Sequence, residues 1–124
     1  MGNFRFRKEE RLNRKKVIEE LFEKGSSYSV FPIKVIYLPH PDETQTIHQV
    51  LITAPARNFK RAVDRNTLKR RMREGYRLHK TLLPVSPTFC LAYIYVAKEI
   101  LPSLTIHQAI RSSLERLHTY EKKN

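Results

Sequence analysis

Residues 57–80 read RNFKRAVDRNTLKRRMREGYRLHK and hold ten of the chain's 24 lysines and arginines against two acids, Asp64 and Glu74. The stretch has helical spacing. Asp64 is placed to accept hydrogen bonds from first-turn amides as an N-cap. Leu68, Met72 and Tyr76 recur every four residues, one face of a helix. At about 100° per residue, Leu68, Met72, Gly75, Tyr76 and His79 share one sector. Asn66, Lys69, Arg70, Arg73 and Arg77 share the neighbouring one, with Arg65 at its border. A charge run on a helix is most often a solvated face. Such faces normally mix signs, because like charges four residues apart repel. Here Arg65, Lys69, Arg73 and Arg77 form a like-charged ladder. A ladder that costs helix stability points to an external polyanion, with phosphate the best fit.

The rest of the composition agrees. The chain has 124 residues, enough for one domain with a core of its own, and a formal net charge of +12. That excess is spread along the chain and favours nucleic acid over a small acidic substrate. No stretch approaches the ~20 apolar residues of a transmembrane helix, and the N-terminus has no apolar signal-peptide core. Cys90 is the one cysteine and lies in the apolar run FCLAYIYVA. It reads as a buried structural thiol in a reducing, cytoplasmic setting. His40, His48, His79, His107 and His118 are scattered, without metal-site spacing.

Taken in order, residues 1–12 form a basic, extended N-terminal segment. Phe4 and Phe6 alternate there with Arg5 and Arg7. Such aromatics can stack on bases or lie over the core. A first helix is expected over 13–24, capped by Asn13 and ended by Gly25 in a left-handed conformation, with Val17, Ile18, Leu21 and Phe22 as its apolar stripe. Residues 26–29 read as a loop. A strand follows at 31–38, a hairpin loop at 39–46 and a second strand at 47–54. A short strand or extended link is expected at 58–62, before the basic helix. Residues 89–97 are apolar on both faces, which predicts a central strand covered on both sides. Thr105 and Gln108 read as a capping box opening a last helix to about residue 120, and residues 121–124 as a frayed tail. The order implies a single α+β domain, helices packed on one mixed sheet.

Catalytic constellations are missing from this reading. Asp42 and Glu43 are adjacent but in a loop, Asp64 is assigned to a cap, and the glutamates, Glu10 among them, read as exposed or fraying. There is no Ser/His/Asp set, P-loop or dinucleotide fingerprint. Three glycines in all leave no Gly-rich phosphate loop. The chain reads as an RNA binder without an active site of its own.

The run Ala62-Val63-Asp64-Arg65-Asn66-Thr67-Leu68-Lys69-Arg70-Arg71-Met72-Arg73-Glu74 resembles the signature of the bacterial ribonuclease P protein component. That signature reads Ala-Val-x-Arg-Asn-Arg, an aliphatic residue, Lys-Arg, two variable positions and Arg-Glu. A helix ending Leu21-Phe22-x-x-Gly25 and a strand ending Tyr37-Leu38-Pro39 agree with it. The resemblance implies an α-β-β-β-α-β-α sandwich with a left-handed β-α-β crossover, an exception to the usual handedness. It implies the non-catalytic protein subunit of ribonuclease P, the endoribonuclease that removes the 5′ leader of precursor tRNA. The catalyst would be the RNA subunit, with Mg2+ bound mainly by RNA. The partners would be ribonuclease P RNA and precursor tRNA, with the protein monomeric apart from RNA and not membrane-bound. By position, Arg65, Asn66, Lys69, Arg70 and Arg73 would contact the RNA subunit, joined by Arg57, Lys60, Arg61 and Arg77. Ile18, Phe22, Lys34 and Ile36 would meet the leader. Two departures stand out. Thr67 replaces the usual arginine, and Ala56-Arg57 aligns with a usual lysine pair. Ile18 and Ile36 also stand where the family usually has aromatics.

Other readings of size, charge and fold class are a ribosomal or ribosome-associated RNA-binding protein, a DNA-binding regulator using the basic helix for recognition, and a free-standing nuclease. The signature run argues against the first, the absence of a dimerisation helix against the second, and the missing carboxylate cluster against the third.

Overall fold

The computed structural model describes residues 6–119. Its elements are α1 (Lys15–Lys24), β1 (Ser26–Val30), β2 (Ile33–Pro39), β3 (Gln49–Thr53), α2 (Ala62–His79), β4 (Phe89–Tyr95) and α3 (Ser103–His118), with short 3-10 turns at Lys8–Glu10 and Lys80–Leu82. The α-β-β-β-α-β-α order is the expected one. Phe4 and the tail at 121–124 lie outside the described residues.

One mixed sheet runs β1-β2-β4-β3. β1 pairs antiparallel with β2, and β2 antiparallel with β4. β3 pairs parallel with β4, so α2 is the crossover between them. The apolar β4 therefore lies inside the sheet, as its composition requires. Alternation along the strands sends Ile33, Val35, Val50, Leu91, Tyr93 and Tyr95 to the α2/α3 side, where Leu68, Met72, Tyr76, Ile106, Ile110 and Leu114 meet them. Ile36, Cys90 and Ala92 point the other way, against Leu12, Val17 and Leu21. Each of these fully buried side chains contributes on the order of 1.5–3 kcal/mol of apolar transfer free energy. Burial also pushes the Cys90 thiol up to about 12, as befits a structural cysteine.

Several local expectations need correction. Residues 26–29 are not a loop but most of edge strand β1. Three serines there suggested a turn, yet Tyr28 and Val30 turn toward the core while Ser27 and Ser29 stay exposed. Residues 39–46 do not close a hairpin, because β4 lies between β2 and β3. Residues 58–62 are not a strand, since Asn58 and Phe59 fold back onto the Pro55 carbonyl. Arg14, not Asn13, is the N-cap of α1. Gly25 has φ −70° and ψ 154°, which is extended and not left-handed. Glycine is needed there for space, because a Cβ would run into the Leu21 carbonyl oxygen and come within 2.9 Å of Ile36 Cγ2. α2 starts early enough that Asp64 lies in its first turn, and Arg61 is the N-cap. Asp64 still faces the positive end of the helix dipole. Pro102 is the N-cap of α3, so Thr105 is already helical and forms no capping box with Gln108.

Polar links lock the layers. The Ser113 hydroxyl donates to the Ile110 carbonyl at 2.6 Å, so at 3.0 Å it accepts from Tyr93 Oη. Tyr28 Oη donates to the Ser113 carbonyl at 2.7 Å, tying β1 to α3. His48 is fixed in its neutral form. Its Nδ1 accepts the Phe89 N–H at 2.9 Å, so its Nε2 carries the proton and donates to the Pro84 carbonyl at 2.8 Å. Burial, more than any neighbour, holds its pKa below the ordinary histidine value. The unfolded chain therefore takes up a proton near pH 6.5 that the folded chain refuses. This contribution to stability is complete above about pH 6.5 and is lost as pH falls through the lower folded pKa. Urea unfolding should show a less stable protein at pH 5.5 than at pH 7.5. His48→Gln should flatten that difference in part, since His79 is depressed as well, mainly by burial. An unchanged pH slope in the variant would reject this assignment.

Candidate nucleic-acid interface

α2 carries the two faces its sequence encodes. Leu68, Met72 and Tyr76 are at most 1% exposed. Gly75 lets α3 approach, with the position of its absent Cβ only 3.1 Å from His107 Cδ2. On the outer side Asn66 and Arg70 are exposed, and Lys69 and Arg73 half-exposed.

Arg65, Arg71 and Arg77 are partly committed within the protein. Arg65 Nη1 donates to the Phe59 and Lys60 carbonyls at 2.7 and 2.9 Å. It thereby folds the loop bearing Arg57, Lys60 and Arg61, all exposed, back onto the start of α2. Arg77 pairs with Glu74, which lowers the glutamate's pKa through that hydrogen bond. Arg71 Nη1 donates to the Leu101 carbonyl at 2.7 Å. Thr67 turns inward on its own helix, its hydroxyl donating to the Val63 carbonyl at 2.9 Å.

Asn66, Lys69 and Arg73 border a groove of about 460 Å³. Its floor is β3, through Val50, Leu51 and Ile52, and its far wall is the N-terminal segment, through Phe6, Arg11, Leu12 and Asn13. The Leu12 N–H donates to the Val50 carbonyl at 3.0 Å, extending the sheet by a single bridge. Phe6 packs edge-on against Tyr76 with centroids 6.0 Å apart, and the Arg11 guanidinium lies 5.7 Å from the Phe6 ring centre. The N-terminal aromatic thus lies on the core. Arg11 and Asn13 were not singled out from sequence as binding residues. They are some 50 residues from the basic run, and only the pairing with β3 brings them to it.

The segment is also anchored from below. Glu10 is 7% exposed and buried, not fraying. Its carboxylate accepts Lys80 Nζ at 2.7 Å and the Arg7 N–H at 2.6 Å.

A second surface lies on the α1 side of the sheet. Phe22 is 47% exposed there. Ile18 is half-buried, and Lys34 is exposed beside Ile94 in the strand register. Ile36 is buried in the cluster beneath. These four residues share one side of the molecule, with Ile36 as foundation and Phe22 and Lys34 as accessible groups.

Chemically, the outer face of α2 suits a polyanion, while the α1 side offers an apolar group, Phe22, and a single cation, Lys34. Among the described residues, no three His, Cys, Asp or Glu side chains converge as they would to hold a metal ion. No described helix is long and apolar enough to cross a membrane.

The family model for ribonuclease P matches residues 6–119. The chain belongs to the ribonuclease P protein family. It is 31% identical over 123 residues to the ribonuclease P protein component of Porphyromonas gingivalis, covering 94% of this chain and 88% of that one. It is 36% identical over 84 residues to the component from Petrotoga mobilis, 68% of each chain. The ribonuclease P protein of Thermotoga maritima superposes with a TM-score of 0.71 at 23% identity, covering 86% of this chain and 96% of that one. In ribonuclease P terms, the signature run makes up most of α2, with its polar residues outward and Leu68 and Met72 buried. Its first arginine, Arg65, spends donors on the preceding loop, and Thr67, at the sixth signature position, presents no cation at all.

Proposed function

We propose that this chain is the protein subunit of ribonuclease P, binding the catalytic RNA through the outer face of α2 and the 5′ leader of precursor tRNA across the α1 side of the sheet. The observation that carries this is the division of α2. One face is fully buried, and the other presents Asn66, Lys69, Arg70 and Arg73, with no metal-holding cluster among the described residues. Lys69, Arg70 and Arg73 meet phosphates, and Arg57, Lys60 and Arg61 extend the contact along the loop before the helix. Arg65 and Arg77 act mainly by shaping this surface, since both hold partners within the chain. Phe22 and Ile18 offer apolar contact to the leader, and Lys34 a phosphate contact.

In this reading Mg2+ is bound mainly by the RNA, and the protein contributes cationic side chains instead of metal ligands. The protein acts in the cytoplasm and is monomeric apart from RNA. Its cations lower the repulsion between RNA phosphates that magnesium must otherwise screen.

The test is cleavage of a precursor tRNA by its RNA subunit across a magnesium titration, with and without the protein. The protein should cut nothing alone and should shift activity to lower magnesium. An identical magnesium dependence in its presence would overturn the reading. A photo-crosslinker at Lys34 should label leader nucleotides in the ternary complex. Labelling of the RNA subunit alone would remove the leader from this surface.

A further inference from the structure

We infer, building on the ribonuclease P reading, that the groove between the N-terminal segment, β3 and α2 receives one unstacked nucleotide of the RNA subunit. Its base would lie inside the groove and its flanking phosphates on Arg11, Lys69 and Arg73. Three observations carry this. The groove's volume of about 460 Å³ falls in the roughly 300–1,000 Å³ range of pockets that enclose small-molecule ligands. A flat phosphate-binding face would have no need of such a concavity.

The lining is also sorted by chemistry. Phe6, Leu51 and Ile52 provide apolar surface for a base. Asn13 and Asn66 provide amides that can donate to and accept from a base edge. The three cations complete the set, and among the described residues no Asp or Glu lines the groove. Bases paired within an RNA helix cannot reach such a site, because the A-form major groove is too narrow and deep to be read. Splayed nucleotides are recognised through stacking and their edges.

Finally, the two walls are held independently of any ligand. The Leu12–Val50 backbone bond and the buried Glu10–Lys80 pair fix the N-terminal wall against the body. The groove is therefore preorganised, which lowers the ordering cost of binding. Asn13 is outside α1, whose N-cap is Arg14, and exposed.

The experiment uses the full chain with ribonuclease P RNA, and with AMP, CMP and inorganic phosphate as small probes. In 15N-edited NMR spectra the Asn13 and Asn66 side-chain amides should shift on adding either nucleotide and stay nearly still with phosphate. Equal shifts from phosphate would reduce the groove to an anion site and overturn the inference. Arg11 and Asn13 are both exposed, so their variants should keep the fold, which circular dichroism will verify. Arg11→Met should shallow the dependence of log affinity on log salt by about 0.7–0.9, the value of one phosphate contact. Asn13→Ala should weaken RNA binding with that slope unchanged. Wild-type affinity in both variants would overturn the inference while leaving the ribonuclease P reading intact. Failure of the wild-type chain to bind the RNA would instead overturn that underlying reading.

Discussion

Lys80→Met should destabilise the protein by roughly 3–5 kcal/mol, because it strips the main partner from a mostly buried carboxylate. Glu10 and Lys80 are 70 residues apart and mostly buried, with side chains 9% and 13% exposed. The Arg7 N–H would still serve Glu10 Oε2, and Oε1 would lose the ammonium. Adding Glu10→Gln should recover part of the loss, since the amide oxygen can still accept from Arg7 and no buried charge remains. Equilibrium unfolding of the two single variants and the double variant measures this coupling. Equal stability of Lys80→Met and wild type would show that the pair is solvated and does not hold the N-terminal segment. If the pair does hold it, Lys80→Met should also loosen the wall of the α2 groove and weaken RNA binding.

How much of this could be read from residues alone follows from the range of each interaction. The buried stripe of α2 and the central position of β4 are periodic properties of contiguous residues, and both were legible. Strand β1 was hidden because an edge strand needs only every second residue to be apolar, and serines on its exposed face imitate a turn. Helix starts were misplaced by up to three residues. Asp64 and Thr105 have cap chemistry, yet Arg61 and Pro102 hold the extended backbone where each helix begins. Glu10 and Arg11 were opaque for a different reason. Their importance comes from partners 39 and 70 positions away, and no local pattern marks either one. The candidate site was thus half visible. The wall contributed by α2 stood out through its charge, and the wall contributed by residues 6–13 depended on a tertiary bridge.

Met72→Ala and the pair Lys69→Ala with Arg73→Ala should fail in opposite ways, although all three residues lie within one and a half turns of α2. Met72 is fully buried between the sheet and the helices. Truncation removes its apolar burial and leaves a cavity that close-packed neighbours fill only partly, costing roughly 2–5 kcal/mol. RNA affinity measured where the variant remains folded should keep its salt dependence, because no cation has been lost. Lys69 and Arg73 are half-exposed on the far side and line the groove. Their like charges, four residues apart, repel, so replacing both by Ala should leave stability within about 0.5 kcal/mol of wild type or raise it slightly. The same double variant should lose two phosphate contacts, and log affinity against log salt should become shallower by roughly 1.4–1.8 units. A solvated face without a partner predicts an unchanged slope. That result would remove α2 from the RNA interface while leaving the fold assignment intact. A slope change accompanied by a large loss of stability would instead mean that these two side chains hold the helix in place.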